Sequence, residues 1–205
     1  MPKLIEHLKD KGVLHSPAII RALEEVDRAD FLSEDMKDVA YEDTALPIGG
    51  DQTMSQPYTV VFMLEQLQVR PGDIVLDVGY GSGWQTALLS RLVGPSGKIY
   101  AFEIVPQLCE LGRKNLLAYA QLSKRTEFLC MNAKGGYGEV APFDRIIAAA
   151  EVKTEVPQAW RDQLLPGGRM VYPKGNALVL EVKRPNGSFE VKTFPGFVFV
   201  PFIEE

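Results

Sequence analysis

Residues 74–85 read Ile-Val-Leu-Asp-Val-Gly-Tyr-Gly-Ser-Gly-Trp-Gln, and this stretch decides the fold. Its first five residues form a β-branched, apolar run that is typical of a strand buried on both faces. The three alternate glycines that follow predict a turn with positive φ angles, where a ligand approaches the backbone without meeting a Cβ atom. A helix is predicted over residues 84–93, because Gly94 and Pro95 form a stop signal. The free N–H groups at its start therefore face the turn, where a nucleotide-like ligand is expected.

The glycine spacing narrows the choice of ligand. Gly79, Gly81 and Gly83 form Gly-x-Gly-x-Gly, whereas dinucleotide-binding proteins use Gly-x-Gly-x-x-Gly. Asp77, ahead of the turn, can attract a positively charged amino group, and the helix N-terminus from Ser82 to Gln85 attracts a carboxylate. A ligand with an amino acid end and a nucleoside end satisfies both, and S-adenosylmethionine has that shape. The alternative is a tight strand-to-helix turn that binds no ligand.

Composition excludes several classes of protein. The chain has 205 residues and a formal net charge of −5, which argues against a general binder of nucleic acids or membrane surfaces. Apolar stretches of transmembrane length and a signal peptide are both missing, so a cytoplasmic protein is expected. The histidines, His7 and His15, lie in the N-terminal segment, which excludes histidine-based metal or triad chemistry in the core. No metal is therefore expected.

The two cysteines, Cys109 and Cys130, lie in a predicted helix and a predicted strand. They do not form a Cys-x-x-Cys pair, so neither a disulfide framework nor a zinc site is expected. We predict that both are buried, reduced thiols.

Strands and helices alternate through the centre of the chain. Strands are predicted at 74–78, 98–104, 126–131, 143–150 and 169–173, with helices at 84–93, 106–119 and 157–164 between them. This alternation predicts an α/β fold with a Rossmann-like, doubly wound and mostly parallel sheet.

The two ends of the chain differ from this centre. Helical spacing at 2–10 and 17–26 predicts an N-terminal helical cap, followed by a long irregular loop over 28–56 and a helix that begins at Pro57. Near the C-terminus, 178–183 and 189–193 flank Pro-Asn-Gly and predict an antiparallel hairpin, and 197–202 predicts one more short strand. Residues 1–56 therefore form a cap and substrate loop on a core of 57–205, within one compact structural domain.

Three residues at the end of a predicted strand or directly after one are candidates for nucleoside binding. Glu103 lies 20 residues past Gly83, where a carboxylate can accept hydrogen bonds from both ribose hydroxyls; the alternative is a solvated strand-end carboxylate. Ile104 can cover one face of an adenine or pack in the core. Asn132 can donate and accept at a base edge, although Asn is also a common turn residue.

Several motifs resemble those of known enzymes. The residues at 77–83, Asp-Val-Gly-Tyr-Gly-Ser-Gly, resemble motif I of class I methyltransferases. Ala-Leu-Pro-Ile-Gly at 45–49 and Gln-Thr-Met-Ser-Gln-Pro at 52–57 resemble the signature of the protein-L-isoaspartate (D-aspartate) O-methyltransferase family. Ala-Pro-Phe-Asp at 141–144, Leu-Pro-Gly-Gly-Arg at 165–169 and Phe-Val-Pro at 199–201 extend the resemblance across nearly the whole chain.

The resemblance implies a repair enzyme, a monomer, that acts on damaged proteins and peptides. It would methylate the free α-carboxyl of L-isoaspartyl and D-aspartyl residues, with S-adenosylmethionine as cofactor and S-adenosylhomocysteine as product. Because a carboxyl group with a pKa near 4 is ionised at pH 7, no strong general base is needed. The family's candidates for holding the carboxylate are Ser55 and Thr53. The alternative for Ser55 is capping of the helix that begins at Pro57.

The chain also departs from the family pattern. Met131-Asn132-Ala133 stands where the family usually has Gly-Asp-Gly, and Asp51 stands where it commonly has Gly. A negative charge at Asp51 would oppose an anionic substrate unless the side chain points outward. Two alternatives therefore stay open: a carboxyl methyltransferase for a specialised peptide or small acid, and a cofactor-binding homologue without catalysis.

Overall fold

The computed structural model describes residues 1–203, and its largest element is a seven-stranded sheet. In chain order the strands are β1 (Leu46–Gly49), β2 (Gln52–Met54), β3 (Ile74–Val78), β4 (Lys98–Glu103), β5 (Thr126–Cys130), β6 (Phe143–Ala148), β7 (Leu164–Lys174), β8 (Ala177–Lys183) and β9 (Phe189–Pro195). The sheet order is β5-β4-β3-β6-β7-β8-β9, and β1 pairs with β2 in a separate hairpin.

The helices lie between and around these strands. They are α1 (Pro2–Asp10), α2 (Pro17–Glu25), α3 (Pro57–Leu67), α4 (Trp84–Val93), α5 (Pro106–Leu116), α6 (Ala120–Ser123) and α7 (Gln158–Asp162), with 3₁₀ helices at Arg28–Phe31 and Glu34–Val39. The helical cap, the central strand β3 and helix α4 confirm the elements predicted at these positions.

The sheet is parallel from β5 to β7 and antiparallel from β7 to β9. The Rossmann-like, mostly parallel fold with a C-terminal antiparallel hairpin is therefore confirmed. Alternate residues of the strands face opposite sides, so that Val75 and Ile99 belong to one buried cluster and Leu76 and Phe102 to another. The first cluster includes apolar residues of α1 to α4. Strand β3 lies inside the sheet, between β4 and β6, and its last four residues are all buried.

Three expectations at the level of elements are wrong. The segment 28–56 is not an irregular loop, since it holds two 3₁₀ helices and the hairpin β1–β2. Short strands interrupted by Pro47 and by two glycines lack the local pattern of a hairpin. Residues 197–202 do not form a strand; Pro201 instead makes a single parallel bridge with Glu151. Strand β7 begins at Leu164, where a short helix was expected to continue, because it pairs with β6 through a register shift.

The prediction of reduced cysteines is also wrong. Cys109 in α5 and Cys130 at the end of β5 form a disulfide, with the Cα atoms 5.6 Å apart. Cys109 is buried, as expected, but Cys130 is exposed. Helix α5 connects β4 to β5 and packs against β5, which brings two residues 21 positions apart into contact. The spacing of the two cysteines in the sequence does not predict this packing.

Across residues 1–203, every helix is too short or too polar to span a lipid bilayer.

Candidate active site

A cleft opens where β3, β4 and β6 end. Chain connections leave β3 toward β4 on one side and reach β6 on the other, so this edge of the sheet is a topological switch point, where α/β proteins bind ligands. The cleft brings together eight of the predicted residues: Thr53, Ser55, Gly79, Gly81, Ser82, Glu103, Ile104 and Asn132. Its opposite walls come from the hairpin β1–β2 and from residues 200–203.

The glycine turn has the geometry that the sequence requires. The φ angles of Gly79, Gly81 and Gly83 are 79°, 51° and 90°. A Cβ atom on Gly81 would lie 3.0 Å from Cδ1 of Ile48, and one on Gly83 would lie 3.0 Å from the carbonyl oxygen of Gly112. The glycines therefore let the hairpin and α5 pack close to the turn. Gly83 serves this packing beside the cleft.

Glu103 is held by backbone amides. Its Oε2 accepts a hydrogen bond from Gly81 N at 2.9 Å, and its Oε1 accepts from Ile104 N at 2.8 Å and Val105 N at 3.0 Å. The side chain is 8% exposed and lines the cleft. A carboxylate with two oxygens has about four acceptor sites, and three of them are occupied, so about one site, on Oε2, remains for a ribose hydroxyl. Three amides fix the orientation of this acceptor before any ligand arrives.

Asp77 lies one step behind the cleft. It is fully buried, and its two carboxylate oxygens accept from Gln85 Nε2 at 2.9 Å and from Thr86 Oγ1 at 2.6 Å. Burial raises the pKa of the Asp77 carboxyl to about 6, against the lowering effect of the Thr86 and Gln85 hydrogen bonds, and the charge of Glu103 adds to the rise. Gln85 lines the cleft. An effect of Asp77 on a ligand therefore passes through Gln85.

Asn132 combines the two roles that the sequence left open. Its Oδ1 accepts from Lys134 N at 2.7 Å, which is a turn contact, and its Nδ2 donates to the carbonyl oxygen of Ile203 at 3.1 Å. The amide thereby joins the segment after β5 to the C-terminal wall of the cleft. One N–H of its NH₂ group is left for a base edge. Ile104 is half-buried and lines the same region.

Ser55 follows β2, half-buried in the wall of the cleft. Its hydroxyl makes no hydrogen bond with residues 1–203, whereas its carbonyl oxygen accepts from Arg28 Nη2 at 3.2 Å. Helix α3 is capped by another residue, because Asp43 Oδ1 accepts from Tyr58 N at 2.8 Å. The capping alternative for Ser55 is therefore wrong, and its hydroxyl is available to a ligand. Thr53 lies nearby on the exposed side of the hairpin.

The negative charge of Asp51 lies outside the cleft. Asp51 is exposed at the tip of the hairpin β1–β2 with a φ of 54°. Its neighbour Gly50 rests on the loop after β4, because a Cβ atom there would lie 3.3 Å from Cγ1 of Val105. The tip therefore packs against the loop that carries Ile104, with the Asp51 side chain in solvent.

Several lining residues were not predicted. Trp84 and Gln85 line the cleft directly after the glycines, and the indole Nε1 of Trp84 is buried without a hydrogen-bond partner in residues 1–203. Their position inside the glycine motif was a usable signal. Phe102, Met131 and Phe202 also line the cleft. Phe202 lies more than 100 residues from the motif, and no local pattern places it there.

The donors and acceptors of the cleft suit an elongated ligand with a charged end and a nucleoside end. Free N–H groups at the start of α4 suit a carboxylate, the remaining acceptor site of Glu103 suits a hydroxyl, and Ile104 with Phe102 offers an apolar surface. Over residues 1–203, groups of three or more His, Cys, Asp or Glu side chains placed to hold a metal ion are absent.

Comparisons with known proteins agree with this geometry. The family model described as protein-L-isoaspartate(D-aspartate) O-methyltransferase matches residues 1–205. A protein-L-isoaspartate O-methyltransferase of Ignicoccus hospitalis is 39% identical over 208 residues, which cover 99% of this chain and 97% of the relative. The protein of the same name from Methanopyrus kandleri is 38% identical over 207 residues, which cover 99% of this chain and 91% of the relative.

One solved structure extends the likeness to the fold. A Plasmodium falciparum protein, described as a protein-L-isoaspartate O-methyltransferase in complex with S-adenosyl-L-homocysteine, is similar to this chain with a TM-score of 0.89. The alignment covers 99% of this chain and 98% of that one, at 23% identity.

Proposed function

The chain belongs to the protein-L-isoaspartate(D-aspartate) O-methyltransferase family, and from this premise we propose that it methylates the free α-carboxyl of L-isoaspartyl and D-aspartyl residues in damaged proteins and peptides. The observation that carries the proposal is the pairing of two groups in one cleft. Ser55 offers an unpartnered hydroxyl to a carboxylate, and Glu103 offers a fixed carboxylate to a nucleoside. The methyl donor would be S-adenosylmethionine, and the product S-adenosylhomocysteine.

The cofactor end of the cleft is built from the glycine turn and the strand ends beside it. Glu103 Oε2 would accept from a ribose hydroxyl, with Ile104 and Asn132 on the adenine. The N–H groups at the start of α4, from Ser82 onward, would bind the carboxylate of the amino acid end. Gln85, held by Asp77, would meet its ammonium group. The lining of the cleft by Ser82, Gln85, Glu103, Ile104 and Asn132 supports this assignment.

The substrate end lies beside Ser55 and Thr53. Bound S-adenosylmethionine supplies a methyl group on a positively charged sulfur, which becomes a neutral thioether when a carboxylate oxygen takes that methyl. The protein needs no general base, because the attacking carboxylate is already ionised at neutral pH. The hydroxyl of Ser55 would hold one carboxylate oxygen and thereby orient the other for in-line attack. Apolar lining from Ile48, Met54 and Phe202 limits access of water.

The test is methyl transfer from labelled S-adenosylmethionine to two synthetic peptides that differ only in carrying isoaspartate or aspartate. We expect label in the isoaspartyl peptide alone, with the aspartyl peptide as the matched control. Several unrelated isoaspartyl sequences should be accepted, since the cleft offers contacts to the carboxylate rather than to one side chain. Turnover of a single sequence, or of the aspartyl peptide, would favour a specialised carboxyl methyltransferase. Absence of transfer despite cofactor binding by calorimetry would favour a non-catalytic homologue.

Location and oligomeric state are further parts of the proposal. A cytoplasmic monomer agrees with a substrate cleft formed by one chain. The disulfide bears on the location, because structural disulfides are rare in reducing compartments except in the intracellular proteins of hyperthermophiles. Sedimentation equilibrium would test the monomer, and thiol alkylation in intact cells followed by mass spectrometry would show whether the pair is oxidised where the protein works.

A further inference from the structure

Arg28 is a buried cation that the chemistry above does not use. It begins the first 3₁₀ helix, is 0% exposed, and makes no ion pair with a carboxylate in residues 1–203. Burial lowers the pKa of its guanidinium to about 10, and the charge of Asp43 acts in the opposite direction. An unpaired charge in the interior is costly, so its surroundings must supply hydrogen bonds in place of a counter-ion.

Those hydrogen bonds come from carbonyl groups on both sides of the hairpin β1–β2. Arg28 Nη1 donates to the carbonyl oxygens of Ala40 at 2.7 Å and Glu42 at 3.2 Å. Its Nη2 donates to the carbonyl oxygens of Thr44 at 2.9 Å and Ser55 at 3.2 Å. Because Thr44 precedes β1 and Ser55 follows β2, one planar guanidinium fixes where the hairpin starts and where it ends.

The same guanidinium also contacts the cofactor side of the cleft. Its Cζ atom lies 5.2 Å from the centre of the Trp84 ring. Trp84 is the first residue of α4, directly after the glycine turn, and is 1% exposed. Arg28 therefore links the backbone of Ser55, on the substrate side, to the start of α4, on the cofactor side.

We propose that Arg28 is a positioning residue, which sets the distance and angle between Ser55 and the start of α4. The inference rests on the proposed function, since it concerns the alignment of the substrate carboxylate with the methyl group. In-line transfer is sensitive to placement, and a misplacement of about 1 Å costs about 10²-fold in rate. Lysine cannot replace Arg28, because one ammonium with three donors does not reproduce a planar fork with five.

The test compares Arg28→Lys with a matched control, Arg145→Lys. Arg145 is likewise buried, at 5% exposed, and donates to the carbonyl oxygens of Gln68 and Asp144, although unlike Arg28 it also pairs with Asp73. It lies near the amino end of β6, whereas the cleft lies at the carboxyl ends. We expect Arg28→Lys to lower kcat for an isoaspartyl peptide about 10²-fold and to leave the Kd of S-adenosylhomocysteine within about threefold. Arg145→Lys should keep the wild-type kcat at a similar loss of thermal stability.

A double-mutant cycle separates positioning from general destabilisation. If Arg28 acts through Ser55, Arg28→Lys should cost less than about threefold in kcat when Ser55→Ala is already present. Additive losses, an equal loss of kcat in Arg145→Lys, or a wild-type kcat in Arg28→Lys would each overturn the inference. If the lysine variant does not fold, Arg28→Gln replaces it, because its planar amide keeps two donors and removes the charge.

Failure of the proposed function would be visible separately, because the wild-type protein would then methylate neither peptide. In that case the rates of amide hydrogen exchange in the hairpin β1–β2 test the positioning role of Arg28 without an activity assay. The amides of the hairpin 46–54 should exchange at least tenfold faster in Arg28→Lys than in the wild type or Arg145→Lys. Unchanged exchange in the hairpin would overturn the inference without any assay of methyl transfer.

Discussion

At the scale of single residues, the hydroxyl of Ser55 is the group whose loss most directly tests the substrate side of the cleft. We predict that Ser55→Ala lowers kcat for isoaspartyl peptides by about 10²-fold, because an unheld carboxylate loses its alignment with the methyl group. Binding of S-adenosylhomocysteine, measured by calorimetry, should not change. Ser188→Ala is the control, since that hydroxyl bonds to Asn186 in the hairpin turn far along the chain. A loss of less than threefold in Ser55→Ala would remove Ser55 from the substrate site.

The buried carboxyl group of Asp77 leads to a second prediction, which concerns how the free energy of unfolding depends on pH. Its pKa is about 6 in the folded protein, above its usual value of 3.8, because the carboxylate is fully buried. The folded state therefore holds the proton more tightly than the unfolded state, and this contribution to stability is lost as pH rises through about 6. Asp77→Asn should raise the free energy of unfolding at pH 8 by up to about 3 kcal/mol, with no difference below pH 4.

The asparagine fits the same contacts, since its oxygen can accept from Gln85 and its NH₂ group can donate to Thr86. Urea unfolding at a series of pH values measures the effect, and the exposed residue Asp35 supplies the control variant Asp35→Asn. Equal pH profiles for wild type and Asp77→Asn would show that the buried carboxylate costs no stability. We expect the ionised carboxylate, which lowers the stability of the fold, to contribute to ligand binding. S-adenosylmethionine should therefore bind Asp77→Asn more weakly than wild type at pH 8.

At the scale of elements, the disulfide joins the two segments that carry Ile104 and Asn132 into the wall of the cleft. Cys109 lies in α5, just after the loop of Ile104, and Cys130 immediately precedes Met131 and Asn132. A link between residues 21 positions apart removes unfolded-state entropy worth about 3 kcal/mol. We predict that a reducing agent lowers the melting temperature by about 6 to 12 °C, at 2 to 4 °C per kcal/mol, and weakens binding of S-adenosylhomocysteine.

The variant Cys130→Ser is the control for this prediction, because it cannot form the disulfide. Its melting temperature should equal that of the reduced wild type and should not change when the reducing agent is added. The exposed position of Cys130 makes the serine mild. Two titratable thiols in the unreduced, denatured wild type would show that the disulfide does not form.

The elements that could be predicted from the sequence are those whose signals are local. Helix α4 and strand β3 have the predicted bounds, because a buried apolar run, a glycine turn and a Gly-Pro stop all lie within 22 residues. The positions of Glu103 and Ser55 in the cleft could also be predicted from local signals. These signals were the end of a strand for Glu103 and the segment 52–57 for Ser55. The hairpin β1–β2 and the disulfide depend instead on packing between segments distant in sequence. The wall at Phe202, held through Glu151, likewise has no local pattern.

At the scale of the whole molecule, the N-terminal helices share one buried cluster with the sheet. Leu8 and Leu23, both 0% exposed, belong to the same cluster as Val75 and Ile99. Polar contacts add to this, since the Glu65 carboxylate of α3 accepts from Ser16 N and Ser16 Oγ at the start of α2. A cap that buries the same core as the sheet cannot unfold alone without exposing that core. The division into 1–56 and 57–205 stays a prediction. Because the two parts share one buried cluster, we expect them to unfold as a single cooperative unit.

Calorimetry tests whether the cap and the sheet unfold together. We predict one transition with equal calorimetric and van't Hoff enthalpies, because the cap and the sheet lose the same buried cluster together. S-adenosylhomocysteine at 100 times its Kd should add about 2.7 kcal/mol and move the whole transition upward by about 5 to 11 °C. Leu23→Ala should lower the midpoint of that one transition by leaving a cavity in the buried cluster where α2 packs against α3 and α4. A separate early transition that the ligand does not shift, and that Leu23→Ala alone lowers, would show that the N-terminal helices unfold independently of the sheet and do not contribute to ligand binding.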